Sequence, residues 1–184
     1  TLFLQGNYLT SIDISNNQNL VFADVQSNEL SSIKGLSKAT RLKKLNVSWN
    51  NLKEFSIQNE SIEVLHISQN LLKSFDTSGA INLTNILLTS NELITVDLSS
   101  NTLLETLLIS DNRIQNISLE HNRNLTHLYI TSNSLTNLNV SNNKELVDLR
   151  VDRNPDLTCI EIKNGQEIPT VSLSDYQELN NVCN

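Results

Sequence analysis

The sequence predicts a solenoid of stacked β-coils, and two observations carry that prediction. The pattern Leu-x-x-Leu-x-Leu-x-x-Asn-x-Leu returns eight times, at spacings of 20 to 22 residues. Around its central leucines, apolar and polar residues alternate as they do in a short β-strand. A fixed period of this length indicates coils that bury their leucines against their neighbours. The repeated asparagines are Asn7, Asn28, Asn50, Asn70, Asn91, Asn112, Asn133 and Asn154.

One coil shows the expected local structure. Leu125, Leu128 and Ile130 point inward, residues 127–131 form the strand, and Asn133 ends it, where its amide can bond the backbone of adjacent coils. The template is that of a leucine-rich repeat. We therefore predict an all-β-rich leucine-rich-repeat solenoid of 21-residue coils. A parallel sheet lies on one face, and short strands or turns lie on the other.

The second half of each coil nearly repeats the first half. Examples are Leu93-Val96-Leu98-Asn101 and Ile114-Ile117-Leu119-Asn122, and Leu157-Ile160-Ile162-Asn164 follows with its asparagine one residue off. This arrangement resembles the nested 21-residue class of bacterial leucine-rich repeats, the IRREKO type, and the resemblance covers nearly the whole chain. It implies short strands on both faces. A second, fainter asparagine ladder is expected at Asn17, Asn59, Asn101, Asn122, Asn143 and Asn164.

Two coils depart from the pattern. Residues 30–52 are similar to an internalin-type repeat, which implies a 3₁₀ turn on the second face. In residues 72–83, Thr77 occupies a position of the second strand that is apolar in the repeat. Ala80 occupies the position at which the second ladder has an asparagine. We expect both coils to be less regular on the second face.

The period stops after Gly165, so we assign residues 1–165 to an array of about eight coils and 166–184 to a C-terminal cap. Ser174 and Gln177 have the spacing of a capping box, which predicts a short helix over 175–181. Cys159 and Cys183 favour a disulfide that closes the cap, with two independent reduced thiols as the alternative. The segment from Asn154 to Cys159, followed by the final Asn-x-Cys, resembles caps of secreted leucine-rich-repeat proteins of Bacteroidetes-type bacteria.

Composition narrows the classes of function. The formal charge of −7 and the lack of a basic run argue against nucleic acid as the partner. No apolar stretch approaches the roughly 18 residues of a membrane span. The chain has no methionine and opens inside a repeat, at Leu2 and Leu4, so we expect the native protein to continue upstream with a truncated N-terminal coil here.

Stacking also argues against an enzyme, a metal site or a cofactor site. Side chains meet only within a coil or at equivalent positions of adjacent coils. His66 has no carboxylate or serine beside it in its column. His127 lies three coils away, about 14 Å at the spacing of stacked strands, so the two histidines cannot share a metal. We predict no catalysis, no metal and no cofactor.

The best candidate surface is a run of apolar residues on the first sheet. Leu87, Leu108 and Tyr129 occupy one column on consecutive coils, where they are either innocuous sheet surface or a partner contact. His66, His127 and Arg150 surround them, and Tyr and Arg are favoured anchors at interfaces. The charges at residues 148, 150, 152 and 153 are expected to pair with one another.

We therefore expect a non-catalytic protein-binding module of a secreted or cell-surface bacterial protein. It would act in adhesion or in recognition of a host or the environment, and it would be a monomer. Two alternatives remain: a scaffold or targeting domain of a larger secreted enzyme, and a binder of surface glycans. The glycan alternative is weakened by the scarcity of aromatic residues.

Overall fold

The computed structural model describes residues 1–183 as a stack of β-coils. Sixteen short strands are divided between two faces of the stack. In chain order they are β1 (Leu2–Phe3), β2 (Ser11–Asp13), β3 (Phe22–Asp24), β4 (Ser32–Lys34), β5 (Lys44–Asn46), β6 (Glu54–Ser56), β7 (Val64–His66), β8 (Ser74–Asp76), β9 (Asn85–Leu87), β10 (Thr106–Leu108), β11 (His127–Tyr129), β12 (Leu138–Asn139), β13 (Asp148–Arg150), β14 (Cys159–Glu161), β15 (Thr170–Ser172) and β16 (Glu178–Asn180).

The two faces are built differently. On the first face, nine parallel strands form one sheet in the order β1-β3-β5-β7-β9-β10-β11-β13-β15. On the second face, strands pair only locally, as β2-β4, β6-β8 and β12-β14-β16. The predicted fold class is therefore confirmed: a leucine-rich-repeat solenoid with a parallel sheet on one face and short strands or turns on the other. The first sheet has one strand more than the eight asparagine repeats, because β15 adds a ninth.

The core is a single apolar column inside the stack. The inward residue at the middle of each strand is buried beneath the same residue of the next coil, as with Leu65, Ile86 and Leu107, which have no exposed surface. Each such side chain gains about 2 to 3 kcal/mol from burial. Because every coil is covered only by its neighbours, the stability of the stack comes from the contacts between coils.

The first asparagine ladder closes each coil at the end of its strand. Asn50 is representative: its side-chain amide donates to the carbonyls of Val25, Val47 and Ser48 at 3.0 to 3.2 Å. Its Oδ1 accepts the backbone N–H of Leu30 at 2.9 Å. One carboxamide thus satisfies buried backbone groups on two coils, which would otherwise cost free energy.

The residue before each ladder asparagine has a left-handed backbone. Its φ is between 55° and 59° at seven non-glycine positions, and 69° at Gly6. A left-handed residue with a Cβ costs about 1–2 kcal/mol. The ladder hydrogen bonds and the buried strand hold this geometry at every coil. The seven positions are Ser27, Trp49, Gln69, Ser90, Asp111, Ser132 and Arg153.

The second ladder is present but shorter than predicted. Asn59, Asn101, Asn122 and Asn143 are buried, and each donates to two carbonyls of the preceding coil. The two predicted ends, Asn17 and Asn164, are exposed instead. The last rung is taken by Gln166, whose Nε2 donates to the carbonyls of Val140 and Asn143.

One of the two irregular coils was predicted correctly. The 3₁₀ turn is present at Leu36–Lys38, after Gly35 in a left-handed conformation. The expected irregularity of residues 72–83 is wrong for the strand, because β8 forms there and pairs with β6, but the second ladder is interrupted at Ala80 as expected. Thr77 is buried, and its hydroxyl donates to Oδ1 of Asn101 at 2.9 Å, which makes a polar residue acceptable inside the coil.

The predicted helix over 175–181 is also wrong. Residues 175–176 form a turn and β16 follows, joining the second face beside β14. The local hydrogen bond of the capping box does form, from the backbone N–H of Ser174 to Oε1 of Gln177 at 2.8 Å. However, Nε2 of Gln177 donates to the carbonyl of Val151, so Gln177 acts as a ladder residue of a further coil.

The disulfide between Cys159 and Cys183 is present, with Cα atoms 5.8 Å apart. It links β14 to the segment after β16, so it holds the last coil against the array. Closing a loop of this length contributes about 3 kcal/mol. The alternative of two free thiols is therefore wrong. Asn184, the last residue assigned to the cap, lies outside the described residues.

A first prediction concerns the ladder. Asn50→Ala removes four hydrogen bonds and leaves buried backbone groups of Val25 and Leu30 without partners, so we expect a loss of about 1–3 kcal/mol in the free energy of unfolding, measured by urea denaturation. Asn51→Ala is the control, because Asn51 is exposed and its side chain makes no hydrogen bond within residues 1–183. Equal losses in the two variants would contradict a structural role for the ladder.

A second prediction uses two glycines with positive φ. A Cβ at Gly35 would overlap the backbone of Ser15, whereas a Cβ at Gly6 meets no atom within 4 Å. Gly6→Ala should cost only the left-handed penalty of about 1–2 kcal/mol. Gly35→Ala should lower the thermal midpoint further, since the coils must also move apart. A smaller effect for Gly35→Ala than for Gly6→Ala would refute this account.

Candidate partner-binding surface

The register of the first sheet defines its outward columns. Residues at the centre of each strand's outer face pair in the order Phe3, Asp24, Asn46, His66, Leu87, Leu108, Tyr129, Arg150 and Ser172, which we call the central column. The residues expected to share a column therefore do so, and Ser172 is added. Strands in a sheet are about 4.8 Å apart, so neighbours in the column are in reach of one another.

All six residues proposed from the sequence lie on this one face. His66, Leu87, Leu108, Tyr129 and Arg150 follow one another along the central column, on β7, β9, β10, β11 and β13. His127 lies on the same strand as Tyr129, two residues earlier, and therefore on the same side of the sheet. The register brings these residues into a contiguous surface, which we call the anchor patch.

The anchor patch is less exposed than the sequence suggested. Leu87, Leu108 and Tyr129 are half-buried, although their side chains point outward. The reason is the close spacing of the strands, since each outward side chain is flanked by those of the coils above and below. Arg150 is exposed. The result is a flat surface with apolar centres rather than a protruding apolar ridge.

Tyr129, Asp148 and Arg150 form one rigid group at the C-terminal end of the patch. The Tyr129 hydroxyl donates to Oδ2 of Asp148 at 2.6 Å. Arg150 donates to both carboxylate oxygens, from Nε at 3.2 Å and from Nη2 at 3.0 Å. The guanidinium carbon also lies 4.3 Å from the centre of the Tyr129 ring, within the range of a cation–π contact. Three side chains therefore fix one another.

Sequence reasoning missed the role of Asp148 as the centre of this group. Hydrogen bonding from Arg150 holds the pKa of the Asp148 carboxyl below its ordinary value, with a smaller contribution from Tyr129 and some opposition from burial. Donating to Asp148 raises the pKa of Tyr129. The sequence did contain a signal for this contact. Asp148 follows Tyr129 by 19 residues, a separation that the coil period turns into neighbouring positions on adjacent strands.

The remaining charges beside the patch are also satisfied internally. Asp152 accepts hydrogen bonds from the hydroxyls of Thr131 and Ser172, both at 3.1 Å, and pairs with Arg153 at 3.3 Å. The expected pairing of the charges at 148, 150, 152 and 153 is confirmed by this ion pair and by the one between Asp148 and Arg150. The surface is therefore polar but locally neutral.

The histidines of the patch do different things. Burial lowers the pKa of His66, which Asp24 partly opposes, so this imidazole is neutral at pH 7. Nδ1 of His127 lies 2.9 Å from the hydroxyl of the adjacent Thr126. Within residues 1–183, no group of three or more His, Cys, Asp or Glu side chains is placed to hold a metal ion.

The second face has a different surface. Where strands are lacking, at residues 95–97 and 116–118, an open groove of about 440 Å³ crosses the coils. It is lined by polar side chains, among them Asp97, His121 and Asn137, above the edges of Val96 and Ile117. Hydrogen bonds from Ser99 hold the pKa of Asp97 below its ordinary value. The groove therefore combines one carboxylate and uncharged polar side chains with an apolar floor, whereas the charges beside the anchor patch pair with one another.

Similarity to known proteins is found at the level of structure. No protein-family model matches the chain, and no curated protein sequence does. The chain is similar to internalin C2 of Listeria monocytogenes, with a TM-score of 0.71, 23% identity, and coverage of 87% of this chain and 84% of that one. It is also similar to a leucine-rich-repeat protein of Bacteroides eggerthii, with a TM-score of 0.72, 16% identity and coverage of 95% and 36%.

A third similar structure is the functional domain of InlJ from Listeria monocytogenes, with a TM-score of 0.61 and 22% identity over 95% of this chain. The chain spans 47% of that domain, less than half its length. These similarities establish the fold: the protein is a leucine-rich-repeat solenoid whose structural neighbours include bacterial proteins of that class. Among residues 1–183, no helix is long and apolar enough to cross a membrane.

A third prediction follows from the Asp148 group. In the wild type, Asp148 should titrate below the ordinary value of 3.8, and Arg150→Gln should raise the midpoint toward that value. Because the folded pKa is depressed, the contribution of Asp148 to stability is present above the unfolded pKa and is lost as the pH falls through the folded pKa. Carbon-13 NMR of the side-chain carboxyls measures both midpoints.

The control for that titration is Arg153→Gln. Arg153 pairs with Asp152 and not with Asp148, so this change should leave the Asp148 midpoint where it is. A midpoint in Arg150→Gln that equals the wild-type midpoint would show that Arg150 does not hold Asp148.

Proposed function

We propose that the protein is a non-catalytic protein-binding module that acts through the anchor patch of the first sheet. The observation that carries the proposal is the central column, in which two leucines, a tyrosine and an arginine follow one another on consecutive strands. Interfaces draw most of their binding energy from a few aromatic, arginine and apolar anchors in a desolvated centre. The half-buried leucines would form that centre.

The rigidity of the Tyr129 group supports this role. Binding costs free energy when flexible side chains must be ordered, about 0.5–1.5 kcal/mol for each one. Tyr129 and Arg150 are already held by Asp148 before a partner arrives. Arg150 uses Nε and Nη2 for that contact, which leaves Nη1 as a donor for a partner's carbonyl or carboxylate.

The pattern of charge favours a protein over a nucleic acid. Phosphate binding needs several clustered lysines or arginines. In the strands of the first sheet, among residues 1–183, the lysines and arginines are Lys44 on β5 and Arg150 on β13, which are far apart in the strand order, and Arg150 is neutralised by Asp148. A neutral surface with an apolar centre suits a protein partner whose contact region is also largely uncharged.

The setting of the protein is part of the proposal. The disulfide supports an oxidising compartment, hence a secreted or cell-surface protein. Within that setting we propose adhesion or recognition of a host or the environment, by a monomeric bacterial protein of the IRREKO-like class with a Bacteroidetes-type cap. A scaffold or targeting domain of a larger secreted enzyme would use the same surface. We also propose a division into an array over residues 1–165 and a cap over 166–184, in which β15 and β16 extend the two faces by a further coil.

A glycan is the second candidate partner, and the groove of the second face is the observation that favours it. Its lining combines a carboxylate, an imidazole and amides over a narrow apolar floor, which are groups that bind sugar hydroxyls. The anchor patch has few free polar groups, because its charges bond one another. A protein partner and a glycan partner would therefore occupy opposite faces.

A fourth prediction tests the patch. Leu108→Glu with Tyr129→Ala places a charge in the apolar centre and removes the aromatic anchor. We expect loss of partner binding, measured by pull-down and biosensor, with a nearly unchanged thermal midpoint, since both side chains point outward from the strands. The matched control is Ser118→Glu with Asn139→Ala on the exposed second face, which should leave protein binding intact.

Two outcomes would contradict the proposal. Unaltered protein binding by the Leu108/Tyr129 variant would show that the anchor patch is not the binding surface. The second outcome is strong binding on a glycan array that is lost in Asp97→Ala, with no protein partner found in pull-downs. That result would show that the groove, and not the anchor patch, is the binding site.

A further inference from the structure

The turn between β14 and β15 displaces one asparagine from the second ladder. Asn164 falls one residue before the position at which the spacing of the earlier half-coils places the final rung. The chain turns at Lys163–Gln166, closed by the Gln166 N–H donating to the Lys163 carbonyl at 2.8 Å. Gln166 fills the rung and Asn164 is exposed. Its carboxamide makes no hydrogen bond within residues 1–183, unlike the amides of the buried ladder asparagines.

The residue after Asn164 is Gly165, and its setting is open. Gly165 has a φ of 77°, and no atom lies within 4 Å of the place where a Cβ would stand. Its backbone N–H donates no hydrogen bond in the described part of the chain. The amide nitrogen of Gly165 is therefore unobstructed by a side chain and free to approach the side-chain carbonyl carbon of Asn164. Glycine also lets the backbone rotate with little steric cost.

We propose that Asn164 is a site of spontaneous deamidation, a covalent modification of this protein that needs only water. The backbone nitrogen of Gly165 attacks Cγ of Asn164, loses its proton, and expels the side-chain nitrogen as ammonia, leaving a five-membered succinimide. Water then adds to one of the two ring carbonyls and breaks that carbon–nitrogen bond. Opening on the side-chain carbonyl gives an aspartate at position 164, and opening on the main-chain carbonyl gives an isoaspartate there.

The ladder protects its own asparagines from this reaction. A buried ladder amide such as that of Asn143 is held by two carbonyls, and it has no exposed surface. The next residue in each such coil has a side chain that hinders attack by its backbone nitrogen, as with Lys144. Asn164 is the only asparagine of the sequence that is followed by glycine.

The modification would act on the last rung of the ladder. Both products add a negative charge beside Lys163. Isoaspartate also adds one carbon to the main chain between Lys163 and Gln166, the two residues that close the turn. Gln166 then has to reach the Val140 and Asn143 carbonyls from a longer turn. The reaction would therefore loosen the contact of the final coil, which the Cys159–Cys183 disulfide continues to hold.

The test is incubation of the folded protein at mildly alkaline pH and physiological temperature, followed by tryptic digestion and mass spectrometry with fragmentation. We expect the mass change from amide to acid to accumulate at Asn164 ahead of every other asparagine, with an isoaspartate fraction detected by its separate elution. Asn164→Gln should lose the signal, because the ring that glutamine would form has one more member. Gly165→Ala should slow it, because a methyl group hinders the attacking nitrogen.

The reference is the same chain, reduced and unfolded in guanidinium, where only local sequence controls the rate. Asn164 should react in the folded protein with a half-time like that of the unfolded chain, while Asn143 and the other buried ladder residues should be strongly slowed. Protection of Asn164 by folding would overturn the proposal. Equal rates at Asn164 and at exposed asparagines without a following glycine, such as Asn124, would overturn it as well.

Discussion

The rest of this structure depends on the asparagine amides that lie, buried or half-buried, at the ends of the first-sheet strands from β3 to β13. A coil that turns inward after three strand residues brings backbone carbonyls and an N–H into an apolar interior, where each unpaired group would cost about 1–3 kcal/mol. The carboxamide has both donors and an acceptor in one short side chain, and it bridges two coils at once, as Asn50 does. The left-handed residue before it is tolerated for the same reason, since the backbone has no other route that keeps these hydrogen bonds.

The second ladder meets this requirement less completely than the first. Oδ1 of Asn101 accepts the Thr77 hydroxyl, but Oδ1 of Asn122 and of Asn143 is buried with no partner among the described residues. The second face lacks strands at residues 95–97 and 116–118, in the coils of Asn101 and Asn122, whereas β12 forms in the coil of Asn143. Nine strands pair without interruption on the first face, so it is the more rigid one, and a rigid sheet is the better support for a preorganised binding surface.

The sequence was sufficient for the fold and for the placement of the candidate residues because the coil period converts spacing into neighbours. It placed Leu87, Leu108 and Tyr129 in one column without any structural information. It failed where the length of a single side chain decides the outcome. Glutamine reaches the ladder carbonyls from a turn that is differently positioned, so Gln166 replaced Asn164, and Gln177 continued a coil where its capping-box spacing suggested a helix. The sequence also failed to predict the contact between Tyr129 and Asp148 for a related reason. That contact depends on how far the tyrosine hydroxyl extends across the next coil.

Different residues therefore determine the stability of the coils and the character of the outward surface. Inward leucines and ladder asparagines hold neighbouring coils together. The outward side chains of each strand contribute little to these contacts. A change at Leu108 or at Ser110 alters the first surface without touching a buried hydrogen bond. Asp148 is the exception, since it accepts hydrogen bonds from both Tyr129 and Arg150. An outward carboxylate that bonds only other outward side chains adds little to the stability of the coils. The hydrogen bonds of Asp148 with Tyr129 and Arg150 instead hold those two side chains in one arrangement, which is what the proposed binding of a partner requires.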